Sequence, residues 1–111
     1  MVSQNFLFVC GKNKLRSPTA EYIFANVAGI NTLSAGVNRD AQERVSDELV
    51  EWADIIFVME RQHRTKLQKA HSAALKGARI VVLVIPDDYA FMDQRLVTLL
   101  KTKMSRWLPV Q

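Results

Sequence analysis

The sequence predicts an α/β fold: one doubly wound domain, spanning residues 1–111, with a four-stranded parallel sheet flanked by helices. Two observations carry the architecture. Short apolar runs alternate with segments whose apolar residues recur at helical spacing, and parallel strands buried on both faces need such crossover connections. No repeat, low-complexity tract or Pro/Gly/Ser-rich linker divides the 111 residues, a length suited to one domain.

The elements follow in order. Residues 5–10 (NFLFVC) form the first strand, and after a polar loop Ala20, Ile23, Phe24 and Val27 mark an amphipathic helix. Residues 31–35 form a second strand ending at Gly36, followed by a helix with Val45, Leu49, Trp52 and Ala53 on one face and Ser46 as an internal cap. Residues 55–59 (IIFVM) are the third strand. Leu67, Ala70 and Ala74 line the next helix, which Gly77 ends, and residues 80–85 (IVVLVI) are the fourth strand. Beyond the loop Pro86-Asp87-Asp88-Tyr89, Leu96, Val97, Leu100, Met104 and Trp107 give the last helix its stripe, with Asp93 as N-cap. Trp52 and Trp107 are expected in the core, and His63 and His71 on the solvated face of a basic helix.

Composition limits the function classes. With 49% hydrophobic residues, 4 Gly and 3 Pro, the chain can bury a core. Its longest apolar run, from Ile80 to Pro86, falls short of the ~20 residues of a membrane span, and the run from Phe6 to Cys10 is too short for a signal-peptide core. A cytoplasmic protein without a membrane partner is expected. The net charge of +4 favours anionic partners, although no aromatic-interleaved RNA signature points to nucleic acid. A lone cysteine, Cys10, excludes an internal disulfide, a two-cysteine redox pair and a multi-cysteine zinc site, and the two histidines stand eight residues apart without nearby carboxylates. No metal or cofactor is expected.

Doubly wound sheets bind ligands beyond the carboxyl ends of their strands, and Cys10 stands where the first strand ends. The chain then reads Cys10-Gly11-Lys12-Asn13-Lys14-Leu15-Arg16-Ser17-Pro18. A loop curling into a helix N-terminus turns successive N–H groups inward, so residues 11–17 form a bowl for an oxyanion with the sulfur at its base. Arg16 grips two phosphate oxygens bidentately. The same positive field favours the thiolate, which is the nucleophile, and Ser17 donates to it. Asn13 suits a left-handed turn position, Gly11 allows tight curvature, and Pro18 sits early in a helix at no hydrogen-bond cost. Lys12 and Lys14 attract anionic substrate. Residue frequencies give a lone Cys this Arg and hydroxyl in under ~1% of cases; the bland alternative is a buried cysteine ending a strand, followed by a solvated basic loop.

Asp87 and Asp88 follow the fourth apolar strand, and either one reaching back over the bowl would protonate a leaving oxygen and later deprotonate water. The alternative to catalysis is a non-catalytic phosphate-binding or phosphoprotein-binding module on the same fold.

The stretch FVCGKNKLRSPTAE resembles the signature of the low-molecular-weight protein tyrosine phosphatases, in a compact, bacterial-type short form with little sequence between Gly36 and the third strand. Ser34-Ala35-Gly36, then Ala53-Asp54-Ile55-Ile56 with Met59, and Asp87 with Tyr89 resemble further family segments. The resemblance implies a phosphate monoester hydrolase acting on phosphotyrosine proteins or small aryl phosphates through a cysteinyl-phosphate, with inorganic phosphate as product. It makes Cys10 the nucleophile, Arg16 the phosphoryl-binding residue, Ser17 the support of the leaving thiolate, and Asn13 with Ser34 the support of the loop. Asp87 becomes the general acid, Asp88 its alternative, and Tyr89 the aromatic wall for the substrate. Lys12, Leu15 and Asp88 stand where the family usually has glycine, cysteine and proline.

Overall fold

In a computed structural model, which describes residues 3–109, eight elements alternate along the chain. They are β1 (Gln4–Cys10), α1 (Arg16–Phe24), β2 (Ile30–Gly36), α2 (Asp47–Trp52), β3 (Ile55–Val58), α3 (Arg61–Leu75), β4 (Arg79–Val82) and α4 (Gln94–Met104). All strand pairs are parallel, in the order β2-β1-β3-β4. The chain leaves β1 for one edge and returns to β3 on the other, so the order reverses between β1 and β3. A crevice opens there, directly beyond Cys10.

Strand alternation divides the core into two layers. Phe6, Phe8 and Cys10 of β1 face one cluster with Phe24 of α1 and Leu96, Leu100 and Met104 of α4. Leu7 and Val9 face the other, with Val50 of α2 and Leu67 of α3. The Phe8 ring stacks between Phe24, at 5.9 Å, and Phe57, at 5.5 Å. Phe6, Leu7, Phe8 and Val9 are completely buried, each burial contributing roughly 1.5–3 kcal/mol, so the strand that ends at Cys10 is firmly held.

Three expectations are corrected. Val45 precedes its helix, because residues 43–45 run beside the end of β2: Gly36 N–H donates to the Glu43 carbonyl and Val45 N–H to the Gly36 carbonyl. Ser46 is therefore the N-cap of α2, its hydroxyl accepting from Leu49 N–H. Val27 and Trp107 lie just past the ends of α1 and α4, yet both still pack on the first core cluster. The fourth strand loses regularity after Val82. Leu83 N–H still donates to the Val58 carbonyl, but Ile85 N–H donates to Met59, so two residues advance against one. Between them Val84 takes φ 59°, a left-handed conformation rare for a β-branched residue, and its side chain is exposed. Asp93 caps α4 as the sequence suggests. Among the described residues no helix is long and apolar enough to cross a membrane.

Candidate active site

The loop after β1 enters α1 at Arg16, and the positive end of that helix faces the loop's interior. Asn13 occupies the left-handed region at φ 57°, which turns its own N–H onto Cys10 Sγ at 3.2 Å. Gly11 needs no left-handed backbone: its place is tight instead, a Cβ there falling 3.1 Å from the Asn38 side-chain nitrogen. The N–H groups of Lys12, Lys14 and Leu15 find no acceptor among the described residues and remain for an anion.

A second chain segment braces this loop from behind. Val37 N–H donates to the Cys10 carbonyl, Asn38 N–H to that of Gly11 and Gln42 N–H to that of Lys12, each at 3.0 Å. Gly36 makes the approach possible, since a Cβ there would lie 2.5 Å from the Gly11 carbonyl oxygen and 2.6 Å from Ala41 Cβ.

Below the bowl runs a buried polar chain whose direction follows from its end. Glu21 has only acceptors, so Ser34 donates to it at 2.5 Å and must accept from the Asn13 amide, at 2.9 Å. The same amide nitrogen donates to Ser17 Oγ at 3.0 Å, and of the two acceptors within reach of the Ser17 proton, Cys10 Sγ at 2.9 Å is much nearer than the Ala35 carbonyl at 3.5 Å, so the hydroxyl donates to the sulfur. The sulfur thus receives two donors, an arrangement that suits a thiolate.

Arg16 is buried, and its guanidinium is fixed along one edge: Nη1 donates to Glu60 Oε2 at 2.6 Å and to the Ile85 carbonyl at 2.8 Å. Ile85 directly follows the left-handed Val84. The opposite edge, Nε with Nη2, remains available for two oxygens of an anion, and Asp87 Oδ1 stands 3.6 Å from Nε. Gly11, Lys12, Lys14, Leu15 and Arg16 enclose, with Cys10, Asn38 and Asp87, a cavity of about 160 Å³. Asp88 is exposed and does not line it.

Structures with this architecture are known. The chain superposes on Wzb of Vibrio vulnificus, solved in complex with benzylphosphonate, with a TM-score of 0.76 and 20% identity over 95% of this chain and 97% of that one. A low molecular weight protein tyrosine phosphatase from T. tengcongensis gives 0.74 and 21%, covering 96% of this chain and all of the other, and a YwlE mutant from Bacillus subtilis gives 0.72 and 22%, covering 95% and 98%. The fold is that of the low molecular weight protein tyrosine phosphatases. No family model matches the chain, and no curated protein matches its sequence.

Within this phosphatase fold, two residues lie elsewhere than the sequence places them. Tyr89 does not line the bowl: it packs against the first core cluster, with the Arg95 guanidinium 5.4 Å from its ring centroid, and borders a separate groove beside α4. The chain turns toward the start of α4 after Asp88 and carries the ring away. His63 is not solvated but buried, accepting the Glu60 N–H on Nδ1 while Glu60 caps the first turn of α3. Its pKa falls from 6.5 to about 4, first because burial penalises the charged ring and next because Arg16 repels it. His71 reaches Asp47, at 2.7 Å.

Glu60 and Glu21 had no assigned role in the sequence. The signal for Glu60 is its place, an acid two residues past β3 at the reversal of strand order, followed three residues later by His63.

Proposed function

We propose that this chain hydrolyses phosphate monoesters through a cysteinyl-phosphate intermediate. The observation that carries the proposal is the meeting, in one small cavity, of a sulfur held by two hydrogen-bond donors, a buried arginine with one free edge, and an aspartate beside that edge. The ester phosphate would sit on the loop N–H groups and on Nε and Nη2 of Arg16. Cys10 Sγ attacks phosphorus, the P–O bond to the alcohol breaks, and Asp87 delivers its proton to the departing oxygen. Water then attacks, Asp87 takes its proton, and the S–P bond breaks to release inorganic phosphate, with Ser17 donating to the departing thiolate. No cofactor enters the scheme. Wzb, with benzylphosphonate bound, supports a phosphoryl-type ligand for this fold.

The test is turnover of p-nitrophenyl phosphate. Wild type should release phosphate, and Cys10→Ser should lower the rate by at least ~10⁴-fold while still binding inorganic phosphate, because the remaining donors do not depend on the sulfur. Rapid acid quench should trap phosphate on Cys10. Activity of Cys10→Ser near that of wild type would overturn the mechanism.

A further inference from the structure

Beside the bowl lies a second, larger cavity of about 460 Å³, and Lys12 and Asn38 line both. Its other charged residues are Arg39, Asp40, Arg44, Lys66 and Lys69. Five cations against one carboxylate give the groove +4, the formal net charge of the whole chain, so the remainder of the chain is balanced. Lys12 is 3.6 Å from Asp40, and Lys66 donates to the Asn38 side chain at 3.0 Å. Arg39, Arg44 and Lys69 have no ion pair or side-chain hydrogen bond among the described residues. Like charges gathered in one concavity repel one another, and a bound anion relieves that repulsion.

We propose that this groove is a second phosphate subsite, so that the preferred substrates carry a further phosphate group besides the ester phosphate in the bowl. The inference rests on the bowl's being a phosphate site, as proposed above, and names the substrate class. Two arginines set the choice of anion, since planar guanidinium forks match phosphate oxygens in pairs. The apolar contributions are Val37 and Ala70, with no aromatic ring on which a nucleobase would stack. Nor does any aromatic side chain line the bowl. Recognition beyond the scissile phosphate is therefore assigned to charge.

The experiment measures binding without turnover. Cys10→Ser protein is titrated calorimetrically, at low and at physiological salt, with alkyl monophosphates, with alkyl phosphates ending in a carboxylate, and with alkanediol bisphosphates of increasing chain length. The best bisphosphate should bind at least ~10-fold more tightly than the monophosphate of equal length, a difference of about 1.4 kcal/mol. The carboxylate should gain clearly less, and added salt should shrink the difference. Adding Arg39→Gln and Arg44→Gln should bring the ratio within ~2-fold, and Lys69→Gln alone should lower it partway, with circular dichroism and inorganic phosphate binding reporting whether each variant is folded.

A ratio near one at every chain length overturns the subsite, as does a ratio that survives in the folded double variant. An equal gain from the carboxylate overturns the assignment to phosphate. Wild-type turnover separates the two proposals: bisphosphate preference without hydrolysis leaves the subsite standing and defeats the hydrolase, whereas hydrolysis without preference does the reverse.

Discussion

His63 gives the fold a measurable dependence on acid. Its ring is buried against the residue that holds Arg16, and its pKa is lowered from 6.5 to about 4 by burial first and by Arg16 second. The unfolded chain therefore binds more protons than the native one between these values, and stability must fall as pH drops through 6.5 toward 4. From pH 7 to pH 5 the linkage relation gives a loss of about 2 kcal/mol for this one group. With a urea slope of ~1.5 kcal/mol per molar, the unfolding midpoint should move down by ~1 M. His63→Asn retains an acceptor for the Glu60 N–H but does not titrate, so its midpoint should change with pH by ~1 M less than that of wild type. Ordinary carboxylates stay ionised in this window, and His71 is common to both proteins. Equal pH dependence in the two proteins would refute a buried neutral His63.

Other perturbations address the bowl. Arg16→Lys keeps the charge but loses the fork that holds Ile85 and Glu60 on one edge and the anion on the other; kcat/KM for an aryl phosphate should fall ~10²–10³-fold, and a fall below ~10-fold would show the phosphate misplaced. Asp87→Asn should slow release of a poor leaving group by ~10²-fold or more and of an acidic phenol much less, while Asp88→Asn stays within a few-fold; equal losses for both leaving groups would mark Asp87 as structural. Gly36→Ala places a methyl against the Gly11 carbonyl and should cost ~1–3 kcal/mol in urea unfolding, together with a weaker affinity for inorganic phosphate. A neutral Gly36→Ala would show that the two loops do not need their close approach.

The parts legible in the sequence are those that local pattern determines. The strand cores and the helix stripes follow from periodicity, and the Cys10 to Ser17 loop follows from residue types at fixed spacing in a strand-loop-helix setting. Val45 and Val84 depart from local pattern for a shared reason: each is apolar and in phase with its neighbours, but long-range main-chain bonding redirects the chain there. Tyr89 has no periodic signal; its place beside the bowl follows only from the resemblance, and packing on the first core cluster takes its ring elsewhere. His63 looked like the polar face of a basic helix because its neighbours are basic, yet its own burial comes from Glu60 and the adjoining loop, a tertiary arrangement without a local pattern. Glu60 was hidden in the same way.

The bracing of the bowl has an evolutionary consequence. Its curvature is enforced by main-chain bonds from residues 37, 38 and 42 to the carbonyls of residues 10, 11 and 12, while Gly36 and Asn13 meet the steric demands. The side chains at Lys12, Lys14, Leu15, Arg39 and Arg44 contribute little to that scaffold. Mutations at these rim positions can alter charge and shape with small effect on folding, so the anion that the rim favours can change while the bowl keeps its curvature. Scaffold and selectivity are thereby encoded in different atoms of the same short segments, the first in backbone amides and carbonyls, the second in side chains that natural variation is free to sample.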